Sequence, residues 1–165
     1  MDYSNYNART YQEYSKIWTA TGKCVFCDLK EKYIVAEKNG IVLTVNIFPY
    51  IDGHLLIIPR RHIEDFDDCS DKEWKTIKEL SKLGKKLLKR SLGVKDVWFI
   101  YRIAKGFGAQ KTVAHAHAHL IPYSEKLFKW EFQKIEVSPE VLASRLRKKN
   151  AGKQRTNHKI HANCL

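Results

Sequence analysis

The stretch His115-Ala116-His117-Ala118-His119 constrains the fold of this chain more than any other. Strict alternation of imidazole and methyl groups has the period of a β-strand, in which successive side chains point to opposite faces. As part of a strand over 112–121, it sets three histidines on one face and Ala114, Ala116 and Ala118 on the other. A lone core histidine satisfied by a carbonyl needs no special account, but burying three imidazoles on one face without a polar purpose is costly. Two chemistries suit such a cluster: a metal held by several imidazoles, or a nucleophilic imidazole whose neighbours bind phosphate oxygens. The loop just upstream, Lys105-Gly106-Phe107-Gly108-Ala109-Gln110-Lys111, offers backbone amides, a side-chain amide and a cation to an anion, which favours phosphate.

The remaining elements make this run the last strand along the chain. Tyr11, Tyr14, Ile17 and Trp18 recur at helical spacing and predict a helix over 7–20. Asn39-Gly40 between the β-branched runs Tyr33-Ile34-Val35-Ala36 and Ile41-Val42-Leu43-Thr44-Val45 signals a hairpin. The apolar run His54-Leu55-Leu56-Ile57-Ile58-Pro59 suits a strand buried on both faces. Ser70-Asp71-Lys72-Glu73 reads as a capping box opening a long helix, with Trp74, Ile77, Leu80, Leu83, Leu87 and Leu88 as its apolar stripe and an end at Gly93. Strands over 97–103 and 112–121 form a second hairpin, and Ser138-Pro139-Glu140 opens a short helix to about 148. The fold class is α+β, with a mostly antiparallel five-stranded sheet and helices at both ends of the chain.

A length of 165 residues fits one domain, expected over 1–149. With 44% hydrophobic residues the chain is neither disordered nor fibrous, and no run approaches the roughly 18 apolar residues of a membrane span. The opening Met-Asp-Tyr-Ser-Asn-Tyr has no apolar signal-peptide core, so a reducing, cytoplasmic setting is expected for the four cysteines. The formal charge of +12 is lopsided, because Arg145 to Leu165 carries seven Lys or Arg and no acid. Residues 150–165 therefore read as a basic, flexible tail. With no interleaved aromatics for base stacking, a solvated end is favoured over a nucleic-acid arm, although the basic charge leaves the latter open.

Thr112-Val113-Ala114-His115-Ala116-His117-Ala118-His119-Leu120-Ile121-Pro122 resembles the signature of the histidine-triad (HIT) superfamily. Asn46-Ile47-Phe48-Pro49-Tyr50-Ile51-Asp52-Gly53-His54 and the strand after it resemble the nucleoside-binding segment of the same superfamily, in the spelling of diadenosine polyphosphate hydrolases and phosphorylases. The resemblance spans roughly 24–122 and implies a HIT-like fold and a homodimer. It makes His117 the nucleophile that becomes nucleotidylated, with His119 and His54 at the α-phosphate and Asn46 at the ribose; the upstream loop adds Gln110 and Lys111 as substrate contacts. No organic cofactor is called for.

Cys24-Val25-Phe26-Cys27 has the spacing at which two sulfurs grip one tetrahedral ion, the other ligands then being distant histidines, with His62 and His115 as candidates. Superfamily branches with such a pair, including galactose-1-phosphate uridylyltransferases, complete a zinc site from a Pro-x-x-His and the first triad histidine. Pro59-Arg60-Arg61-His62 and His115 match that pattern, against the plainer view that the cysteines are small, reduced core residues.

The resemblance thus implies a hydrolase or nucleotidyltransferase acting on a dinucleoside polyphosphate or related nucleotide conjugate. Two alternatives stand beside it. One is a zinc hydrolase in which His115, His117 and His119 hold the metal and activate water, which would lose activity to chelators. The other is a non-catalytic nucleotide-binding protein.

Overall fold

The computed structural model describes residues 20–106, 109, 111–123, 125, 131 and 134–161, with side chains as far as 150. The helix expected over 7–20 falls almost wholly outside them. The chain divides into two units, Met1–Phe128 and Lys129–Leu165. The expected single domain over 1–149 thus spans both.

In the first unit, β1 (Ile34–Lys38), β2 (Ile41–Val45), β3 (Leu55–Pro59), β4 (Val97–Tyr101) and β5 (Ala118–Pro122) form one antiparallel sheet in the order β1-β2-β3-β5-β4. Asn39 and Gly40 join β1 to β2 at φ 49° and 74°, the pair of positive angles that matches the twist of a hairpin. Helix α1 (Asp71–Leu92) starts at Ser70, whose hydroxyl accepts from the Glu73 amide while Glu73 reaches back to the Ser70 amide. It ends at Gly93, which takes the left-handed conformation, φ 67°, that closes many helices.

The core lies between α1 and one face of the sheet. Ile77, Leu80 and Leu88 pack with Ile41, Leu43, Leu55, Ile57, Ala118 and Leu120. Each fully buried Leu or Ile of this set stabilises the fold by about 1.5–3 kcal/mol. Leu83 departs from the expected stripe and is 36% exposed. Gly84 takes its place, because the sheet comes so near that a Cβ there would stand 2.6 Å from Leu120 Cδ1.

The last strand is shorter than the alternation predicts. It begins at Ala118, and 112–117 follow an irregular path. The reason is competition for the backbone: the His115 amide donates to the Val113 carbonyl and the Ala116 amide to the Ile63 carbonyl, so neither joins a ladder. Alternation still holds where it matters, since Ala116 and Ala118 enter the core while His117 and His119 line a pocket.

The second unit holds α2 (Pro139–His161), which runs well past the expected end near 148 and through much of the expected flexible tail. Ala151, Lys153, Gln154 and Arg155 are good helix formers, and Gly152 alone costs about 1 kcal/mol. No helix among the described residues is long and apolar enough to cross a membrane.

Candidate active site

Two clusters share the triad. The first gathers Cys24, Cys27, His62 and His115, whose ligand atoms all lie within 4.8 Å of one another. His115 Nδ1 is 3.4 Å from Cys24 Sγ and 3.7 Å from Cys27 Sγ, and His62 Nδ1 is 3.4 Å from Cys27 Sγ. Zinc bonds of about 2.3 Å to sulfur and 2.0 Å to nitrogen would set tetrahedral neighbours roughly 3.5 Å apart, so the spacing fits a metal. The tautomer fits too. His115 Nε2–H donates to the Pro59 carbonyl at 2.8 Å, which leaves Nδ1 as the lone pair facing the sulfurs. Both cysteines are free, and burial followed by the neighbouring Cys24 pushes the Cys27 thiol up to about 11.

Local structure explains the assembly. Arg60 pairs with Glu37 of β1, and Arg61 with Glu73 in the first turn of α1, so the turn after β3 is clamped on both sides of the sheet-to-helix crossing and presents His62.

The second cluster lines a pocket on the sheet face away from α1, with Asn46, Tyr50, Leu56, Arg102, His117 and His119 among its walls. His117 Nδ1–H donates to the His115 carbonyl at 2.6 Å, which leaves Nε2 with the lone pair. Burial, only partly offset by that carbonyl, holds the His117 pKa down at about 4. His119 is pushed down to about 2 by burial, then by His117, His54 and Arg102. Both rings are therefore neutral near pH 7. Phe26 packs edge-on against His117 with centroids 5.0 Å apart. A larger, mostly apolar cavity of about 260 Å³ adjoins this pocket, sharing Phe26, Asn46 and Leu56 with it.

This combination of a clamped Cys2His2 cluster and a neutral, carbonyl-bonded histidine two residues beyond it accompanies a match of residues 29–126 to the HIT domain family model. The chain belongs to the HIT family.

An uncharacterized HIT-like protein of Mycoplasma genitalium is 31% identical to it over 109 residues, 64% of this chain and 76% of that protein. The adenosine 5'-monophosphoramidase HINT3 of Danio rerio is 28% identical over 123 residues, 70% of this chain and 74% of that protein. A zinc-bound histidine triad family protein of Mycobacterium smegmatis shares the fold, with a TM-score of 0.55 at 22% identity over 79% of this chain and 98% of that one.

In this HIT-domain protein the structure redistributes several expected residues. The triad does not act as one ligand set, since among the described residues the group that could hold a metal takes only His115 from it. That removes the geometric basis for a metal on His115, His117 and His119 together. His54 is fully buried and lies behind the pocket, its Nε2 2.9 Å from His119 Nδ1, so it supports His119 instead of facing the pocket. Lys111 is 1% exposed and donates to the carbonyls of Glu64 and Ala104, so it pins the loop and has no free ammonium for substrate. Burial lowers its pKa. Gln110 lies outside the described residues. Asn46 is at the pocket wall, its Oδ1 accepting from the Phe48 amide at 3.0 Å. Arg102 and Tyr50 are pocket residues that pattern reading missed; Tyr50 sits inside the motif Asn46-x-x-Pro49-Tyr50, whereas no sequence signal marks Arg102.

Proposed function

We propose that this chain cleaves a nucleotide at its α-phosphate by way of a covalent nucleotidyl-histidine on His117. The observation that carries the reading is the His117 Nδ1–H bond to the His115 carbonyl, which fixes the tautomer and leaves Nε2 as the nucleophile beside the pocket. Attack forms an Nε2–P bond and breaks the bond from phosphorus to the bridging oxygen, which departs as an anion on the released phosphate chain. The imidazolium that results keeps Nδ1–H on the carbonyl, whose dipole stabilises it. Water or another acceptor then takes the nucleotidyl group, the N–P bond breaks and His117 returns neutral, the acceptor's proton going to solvent. The substrate class is a dinucleoside polyphosphate or a related nucleotide conjugate, the adjoining apolar cavity receiving the base.

Cys24, Cys27, His62 and His115 would hold zinc, which supplies a structural crosslink between the segment before β1, the turn after β3 and the triad. The test is mass spectrometry of the wild type and His117→Ala after incubation with diadenosine tetraphosphate and AMP-morpholidate. Released AMP or ADP and an adenylylated protein are expected in the wild type, with at least a thousandfold loss in the variant. Equal turnover by both proteins would overturn the nucleophile.

A further inference from the structure

Arg102 follows β4 into the pocket, where its Nη1 lies 3.0 Å from His119 Nε2 and its Nη2 3.5 Å from the Tyr50 hydroxyl. A guanidinium has donors only, so the first contact is attractive only if His119 Nε2 carries no hydrogen. The neighbours decide otherwise. Asn46 is oriented by the bond from the Phe48 amide to its Oδ1, and its Nδ2 therefore donates to His54 Nδ1 at 3.1 Å. The Tyr50 amide donates to the same nitrogen at 3.2 Å. His54 Nδ1 is thus an acceptor, and in a neutral ring its hydrogen sits on Nε2. That hydrogen points at His119 Nδ1, 2.9 Å away, so the hydrogen of His119 is on Nε2. Arg102 and His119 meet donor against donor.

Two donors 3.0 Å apart on a pocket wall repel each other unless an anionic oxygen accepts from both. Among the described residues lining this pocket, Arg102 is the one Lys or Arg, and the nearby Lys111 is committed to backbone carbonyls. A nucleoside phosphoramidate brings negative charge only at the phosphorus attacked, whereas a nucleoside di- or polyphosphate brings more on the next phosphate. A planar fork of donors suits oxygens on two adjacent phosphates.

We propose that Arg102 determines specificity: with His119 it grips a phosphate oxygen, and its remaining donors take the phosphate next to the scissile one, so the site selects nucleotides charged beyond the α-phosphate. This rests on the nucleotide reading above, and the test separates the two. The wild-type full chain, Arg102→Gln and Arg102→Lys are titrated with AMP and with ADP by calorimetry, after far-UV circular dichroism shows that each is folded. The wild type binds ADP more tightly than AMP. Arg102→Gln loses about 10- to 100-fold in ADP affinity, the size of a charge-assisted contact, and far less in AMP affinity. Arg102→Lys recovers part of the loss. Equal weakening of both ligands would confine Arg102 to the α-phosphate and overturn the selection, as would an unchanged ratio of the two affinities. A wild type that binds neither these nor GMP and GDP would sink the nucleotide reading itself, and this proposal with it.

Discussion

Among the described residues of the first unit Glu73 is the most heavily used carboxylate, and replacing it with glutamine should have an effect whose size depends on pH. It takes Arg61 Nε at 2.7 Å and Nη2 at 2.9 Å, and the amide and hydroxyl of Ser70 at 2.8 and 2.9 Å. These contacts, Arg61 foremost, lower its pKa from 4.5 to about 2. A folded value below the unfolded one means that the stabilisation is complete above roughly pH 4.5 and is lost as pH falls toward 2. Converted without screening, that shift would correspond to about 3 kcal/mol. Glu73 is only 15% exposed, but the Arg61 side chain is 48% exposed, so solvent screens the pair and about 1–2 kcal/mol is expected. Glu73→Gln keeps the shape and the capping geometry while removing the charge. Urea denaturation of both proteins between pH 7 and pH 3 measures the difference. It should be about 1–2 kcal/mol at pH 7 and less than half of that at pH 3. A difference of equal size at both ends would assign the loss to packing, and none at pH 7 would show that the Arg61 contact contributes nothing.

Two further outcomes are expected. Cys24→Ser, expressed with zinc in the medium, should lose most of its bound metal by elemental analysis and melt well below the wild type; unchanged metal content would remove Cys24 from the ligand set. Gly84→Ala should destabilise by about 1 kcal/mol, since overpacking against Leu120 at 2.6 Å costs about 1–3 kcal/mol while the better helix former returns about 1; a raised melting temperature would mean that Leu120 and its strand give way freely.

What was legible in the sequence was whatever short-range chemistry decides. Asn39-Gly40, the Ser70–Glu73 box and Gly93 each specify a backbone conformation from one to four residues, and each is where it was expected. The grouping of Cys24, Cys27, His62 and His115 was legible through family resemblance, not through spacing alone, because its halves lie far apart in sequence. What escaped was set by long-range partners. The start of β5 depends on the Ile63 carbonyl, the fate of Lys111 on the carbonyls of Glu64 and Ala104, and the exchange of Leu83 for Gly84 on how near the sheet approaches. His54 shows the same limit. Its neighbourhood in the motif suggested contact with substrate, while its full burial behind His119 is a property of the packed sheet.

His115 belongs to both clusters at once, its ring among the cysteines and its carbonyl on His117. A chelator that withdrew an ion from the ring would therefore loosen the peptide that sets the tautomer of His117, the proposed nucleophile, at a distance of two residues and without the ion ever meeting substrate. Inactivation by chelation, the behaviour usually taken to diagnose a metal that activates water, would look the same here for a metal that only holds a carbonyl still. Trapping the adenylylated histidine in the metal-loaded protein distinguishes the two, because only a nucleophilic imidazole leaves that mark.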